Sequence, residues 1–256
     1  MEKPKLLFKY RPVTTLKELV RLNEIVQKNE LYLPTIPQLN DPFEGRINVT
    51  FAIAGNSLTR LTDKDFSPVI ERKRKTRLLS LSEDCFSPQL WAYYCNDYHG
   101  VCLCFKTNKT FNSAEPVAYP NPIDVGKLVI EPTKEKIYQM IRESLLRKQE
   151  GWRYEKEWRM VFQPELDKNG DETNEVQSKL TFDSDELLAV IIGNKLSDDE
   201  QKVIKSIIPE SVKVFVVHTG ALSGLVKIHE YGYKYSYDGN DPDYIPTIDE
   251  LYDRLL

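Results

Sequence analysis

Two short runs, "GVCLCFK" (Gly100 to Lys106) and "ELLAVIIG" (Glu186 to Gly193), most constrain how this chain can fold. Both are apolar almost throughout, and such runs read as strands buried in a sheet, with cysteine acting as a small hydrophobe. Gly193 ends the second. Further strands are expected at "LLFKYRP" (Leu6 to Pro12), which Pro12 closes, at "ELYLP", at "LLSLS", after Glu157, at "VKVFVVH" and in "GLVKIHEYGYKYS". Helices fall between some of them. Thr15-Leu-Lys-Glu18 is a capping box, opening a helix to about Lys28 with Leu16, Leu19, Val20, Leu22 and Val26 near one face. Ser87 and Pro88 start a short helix, another covers about 134–148, Ser197 to Glu200 caps a third, and Thr247 with Glu250 caps a last one.

The polar stretch "QPELDKNGDETNEVQ" (Gln163 to Gln177) reads as a mobile hairpin loop. Internal repeats and long linkers are lacking. The pattern predicts one α+β domain over residues 1–256, with a mixed, largely antiparallel sheet and flanking helices. Residues 6–163 carry the motifs, and 178–256 complete the sheet.

A net charge of only -4 gives no global field for nucleic acid. No apolar run approaches the roughly 20 residues needed to cross a bilayer. "MEKPKLLFKYRP" lacks the apolar core of a signal peptide, so the expected location is the cytoplasm, with no membrane partner. The cysteines Cys85, Cys95, Cys102 and Cys104 form no paired C-x-x-C framework. A zinc site from Cys85, Cys95 and His99 competes with a purely structural reading, and no metal is expected. There is no Gly-rich phosphate loop.

"WRYEKEWRMVF" (Trp152 to Phe162) sets Glu155 and Glu157 among Arg153, Lys156 and Arg159, ahead of an apolar strand. Either the acids form salt bridges at a strand edge, or they are catalytic carboxylates at the mouth of a cleft. "ERKRKTR" is likewise either a solvated face or a phosphate-binding patch of Arg72, Lys73, Arg74 and Lys75.

Several segments occur together: Lys9-Tyr10-Arg11, "NDPFE" (Asn40 to Glu44), Ser80-Leu81-Ser82, Trp91 to Tyr94, His99-Gly100 and Tyr154 to Arg159. In this order they resemble a prokaryotic family of unknown function that shares K-Y-R, N-D-P-F-[DE], W-x-x-Y and Y-E-K-E-W-R. More distantly, the order Arg11, Ser80-x-Ser82, Glu155-x-Glu157 resembles that of ADP-ribosyltransferases. That resemblance implies NAD as a substrate and a nucleic-acid or protein acceptor, in an enzyme such as a toxin or phage-defence effector.

On this reading, Glu157 stabilises the oxocarbenium-like state at the anomeric carbon, and Glu155, of the same strand parity, orients or deprotonates the acceptor. The cofactor clamp is one of Lys9, Tyr10 and Arg11, with Arg11 on the pyrophosphate. Ser80 or Ser82 bonds a ribose or Glu157, and Tyr10, Tyr94 or Trp91 stacks on the nicotinamide; the competing readings are core side chains for Trp91 and Tyr94 and the solvent face of an alternating strand for Ser80 and Ser82. The alternatives are a non-catalytic nucleotide-binding or nucleic-acid-binding module and an NAD glycohydrolase.

Overall fold

The computed structural model describes residues 2–41, 44–45, 63–120, 133–219, 226–232 and 247–255, with backbone alone for 63–68. Residues 42, 43 and 46 of the "NDPFEGR" turn, and the end of the last expected strand beyond Gly232, lie outside that set. The fold is α+β. Ten strands are described: β1 (Leu6–Pro12), β2 (Glu30–Tyr32), β3 (Arg77–Ser82), β4 (Gly100–Lys106), β5 (Glu115–Pro116), β6 (Glu157–Phe162), β7 (Lys179–Thr181), β8 (Leu187–Ile192), β9 (Lys213–Thr219) and β10 (Val226–Glu230). The α-helices are α1 (Leu16–Lys28), α2 (Asp63–Lys75), α3 (Pro88–Tyr94), α4 (Lys134–Leu145), α5 (Asp198–Ile207) and α6 (Ile248–Leu255).

Eight strands form one sheet in the order β10-β9-β8-β4-β1-β3-β6-β5, while β2 and β7 pair separately. Among the described strands the pairings are antiparallel except β8 with β9, which α5 joins as a parallel crossover. The apolar runs β4 and β8 lie side by side in the middle of the sheet, covered on both faces. On one face Leu7, Leu79, Leu103, Val190 and Trp158 pack under α1 and α5. On the other, Phe8, Tyr10, Cys102, Ile191 and Phe215 pack under α3 and α6. A smaller cluster joins α2 to α4 through Val69, Ile137 and Ile141.

Local chemistry fixes the helix ends. In α1, Thr15 and Glu18 form the reciprocal capping box, and Asn29 closes the helix in the left-handed region. Its buried stripe is Leu22, Ile25 and Val26, whereas the expected Leu16 and Val20 face solvent. Leu16 and Val20 lie on the side of α1 turned away from the sheet, whereas Leu19 of the same first turn packs against the core. Ser87 accepts from Leu90 N–H at the start of α3. Helix α2, which carries the basic run, has no counterpart in the sequence reading. The Gln163 to Gln177 stretch makes an antiparallel bridge, Leu166 with Glu172, and is tied down by Lys134–Asp171 and Lys75–Glu172 ion pairs.

One irregularity in the sheet decides where a site can form. Strand β1 pairs with β4 along its whole length, from Leu6–Lys106 to Pro12–Gly100. Toward β3 it makes a single partner pair, Phe8 with Ser82. Beyond that pair the two strands part and the sheet opens.

Candidate functional site

A cleft of about 430 Å³ occupies the gap between β1 and β3. Its walls include Lys9, Tyr10, Arg11, Ser80, Ser82, Tyr94, Glu155 and Glu157, which the sequence had picked out separately. Arg21, Tyr32, Asp41, Glu44 and Lys148 complete much of the lining. The volume falls within the roughly 300–1,000 Å³ range of small-molecule sites.

The acidic wall is built by a change of backbone. Residues 150–155 form a 3-10 turn, Lys156 takes a left-handed conformation (φ 44°), and β6 begins at Glu157. Glu155 is therefore not on the strand, and the expected shared strand parity is corrected. The left-handed residue folds the chain so that both carboxylates meet at one ammonium. Lys148 Nζ lies 2.5 Å from Glu155 Oε2, 3.3 Å from Glu157 Oε2 and 3.4 Å from Glu44 Oε1. Beneath it, Arg159 clamps Glu157 with Nε and Nη2 at 2.7 and 2.8 Å. Arg159 also donates to Glu44 and, at 2.6 Å, to the Leu145 carbonyl. Arg159 is 1% exposed, and Lys148 and Glu157 5%. Arg153 and Lys156 belong elsewhere, on Glu150 and Asp84. So these acids are indeed ion-paired, but inside the protein, where an unmatched charge is expensive.

The environment drives the two carboxylates apart. Burial alone would raise Glu157, but Arg159 and Lys148 overcome it, with help from the Ser80 hydroxyl, and hold it down at about 2. Glu155 moves the other way, up from the usual carboxylate range. Burial and the neighbouring Glu157 charge outweigh the pull of Lys148 and of the Tyr94 hydroxyl, which donates to Glu155 Oε1 at 2.6 Å. Lys148 itself is raised: burial opposes its charge, but the three carboxylates dominate.

The opposite wall is cationic. Lys9 Nζ donates across the gap to the Ser80 carbonyl at 2.7 Å, and burial with Arg11 beside it brings the amine down to about 7. Arg11 is lowered by burial and by Arg21 to about 10, and its Nε is buried with no hydrogen-bond partner. Among the described residues, none of Lys9, Arg11 and Arg21 has a carboxylate within ion-pair distance.

Not every expected residue is free to act. Trp91 is fully buried, stacked on Tyr98 at 5.7 Å with its indole N–H on the Cys85 carbonyl, so its role as a ligand-stacking ring is corrected to that of a core side chain. Tyr10 lines the cleft but donates its hydroxyl to the Asp84 carbonyl. Ser82 donates to the Glu155 carbonyl and accepts from Asp84 N–H, which fixes the turn before β6.

The basic run is not a continuous patch either. Arg72 is buried against the Tyr138 ring, Lys73 is half-buried, and Lys75, though exposed, is paired with Glu71 and Glu172; Arg74 is exposed. All the cysteines are buried thiols, and among the described residues no group of His, Cys, Asp and Glu is arranged to hold a metal ion. No helix among them is long and apolar enough to cross a membrane.

A family model described as "Protein of unknown function (DUF2971)" matches residues 90–160. The matched stretch carries Tyr94, Lys148, Glu155, Glu157 and Arg159, the acidic wall with its cations. The cationic wall on β1 and α1 lies outside it. No curated protein matches the chain, and no solved structure does.

Sequence reasoning missed Lys148 as the hub. Nothing local marks it, because it follows α4 as one more basic residue after Arg147. Glu44 had a signal, being the last position of the N-D-P-F-[DE] segment, but no role.

Proposed function

We propose that the cleft binds NAD and that the protein cleaves its nicotinamide–ribose bond, transferring ADP-ribose to an acceptor. The observation that carries this reading is the pair of adjacent buried carboxylates driven in opposite directions, in one cleft with Lys9, Arg11 and Arg21, which have no ion-pair partner among the described residues. Where two acids are separated in this way, each suits a different task. Glu157 stays ionised and sets a fixed negative charge near the oxocarbenium-like carbon. Glu155 has an affinity for protons closer to working pH and serves as base for the acceptor. The C–N bond breaks with its electron pair leaving on nicotinamide. The acceptor then bonds to the anomeric carbon, and its proton passes to Glu155. Arg11 and Lys9 stand where the pyrophosphate would lie.

A second reading rests on a different observation. Arg159 takes up both oxygens of Glu157, so the acid can be a structural counter-ion in a nucleotide-binding module without turnover. The test is release of nicotinamide from NAD, followed chromatographically, alone and with RNA, DNA or a protein mixture, alongside NAD binding by calorimetry. Release that needs an acceptor supports transfer, and release with water alone identifies a glycohydrolase. Binding without release leaves the module. Absence of both ends the NAD reading.

A further inference from the structure

The two walls of the cleft are not equivalent. Lys148 and Arg159 have partners for their charge in Glu44, Glu155 and Glu157. Lys9, Arg11 and Arg21 have none within ion-pair distance among the described residues. Lys9 and Arg11 share one face of β1, since side chains two apart on a strand point the same way. Lys9 donates one bond, to the Ser80 carbonyl on β3. Arg11 keeps a buried Nε–H with no acceptor, a costly arrangement unless a ligand supplies one.

We infer that Lys9 and Arg11 form the seat of a pyrophosphate diester, and that seating this anion draws one proton from solution onto Lys9 Nζ. The inference rests on the reading that the cleft takes a pyrophosphate-bearing substrate, and it adds how that binding depends on pH. The charges facing Lys9 are Arg11 on its own strand, Glu157 and Arg159 on β6, and Glu155 on the turn before it. Burial and the two arginines favour the neutral amine more strongly than the two acids favour the ammonium, so Lys9 stands at about 7. An anion placed beside it reverses that balance. Below the midpoint Lys9 is already charged and binding takes up little. Above it, uptake approaches one proton, and affinity falls by up to about tenfold per pH unit.

The probe is ADP-ribose, whose phosphates are both diesters and hold no proton near neutrality. Its binding is measured by calorimetry in PIPES and in Tris, buffers of unlike ionisation heat, about one pH unit above the Lys9 midpoint. The expected result is a heat that differs between the buffers by nearly one proton's ionisation. Lys9→Arg, charged at all working pH, should bind with the same heat in both buffers and lose the pH dependence. Lys9→Met should bind at least tenfold more weakly, without uptake.

Equal heats for the wild-type protein would overturn the inference, as would uptake that persists in Lys9→Arg. Failure of ADP-ribose to bind at any pH would remove the seat itself. Nicotinamide release, measured in parallel, separates the two proposals. Turnover without proton uptake sinks only this one, and uptake without turnover sinks only the catalytic reading.

Discussion

Removing the charge of Glu157 takes a counter-ion from Arg159 and Lys148 as well as a carboxylate from the cleft. Because those cations are buried, Glu157→Gln is expected to cost about 3–5 kcal/mol, the range for breaking a buried pair. Urea denaturation measures this, and a loss under 1 kcal/mol would show that solvent reaches the network. Lost activity in that variant is therefore no proof of catalysis by Glu157. Glu155 is the cleaner probe. Its ionised form is already disfavoured, and Lys148 keeps Glu44 and Glu157 when it goes. Glu155→Gln should cost on the order of 1 kcal/mol, while depressing acceptor-dependent release of nicotinamide well below the wild-type rate. Equal rates in the two proteins would take Glu155 out of the chemistry.

At the scale of elements, the cleft depends on β1 being held firmly on one side so that it can part from β3 on the other. Full pairing with β4 does the holding; Gly100 permits it opposite Pro12, and Gly193 lets the end of β8 close in on the turn before β4. A Cβ on Gly100 would lie 2.3 Å from the Arg11 carbonyl oxygen, and one on Gly193 would lie 2.0 Å from that of Tyr98. Both obstacles are backbone, which cannot swing aside. Gly100→Ala should therefore destabilise by about 1–3 kcal/mol or more, the usual range for overpacking. It should also weaken binding of ADP-ribose by displacing Arg11. A melting curve and an affinity matching the wild type would refute this. Helix α1, which supplies Arg21, rests on its capping box. Thr15→Ala should cost about 1 kcal/mol, read from the thermal midpoint, with the fold retained.

For the molecule as a whole, the site makes its own contribution to acid stability. Glu157, held at about 2 against its ordinary 4.5, stabilises the fold fully above 4.5, and that contribution is lost as pH falls toward 2. Glu155 is raised, so its contribution runs the other way and stability falls as pH rises through its range. The gap in stability between wild type and Glu157→Gln should accordingly shrink as pH drops from about 4.5 to about 2. Chemical denaturation across that window tests it, and a constant gap would contradict the depressed acid.

What was legible in the sequence was local. Period and capping placed β1, β4, β8 and the ends of α1, α3 and α5, because a strand's apolar run and a helix's first turn are chemistry between near neighbours. The motif segments also named most of the cleft's residues, since those positions carry unusual types for the elements they sit on. Their relations were not legible. A tryptophan reads the same whether it stacks on a ligand or, like Trp91, on Tyr98 in the core. An arginine in a basic run does not reveal that Arg72 turns inward onto Tyr138. Lys148 became the hub only when the end of α4, the turn at Lys156 and the segment bearing Glu44 met in space. The parting of β1 from β3 is likewise a property of the assembled sheet. A strand's side-chain alternation says which face each residue takes, whereas where two strands stop pairing depends on everything packed against them.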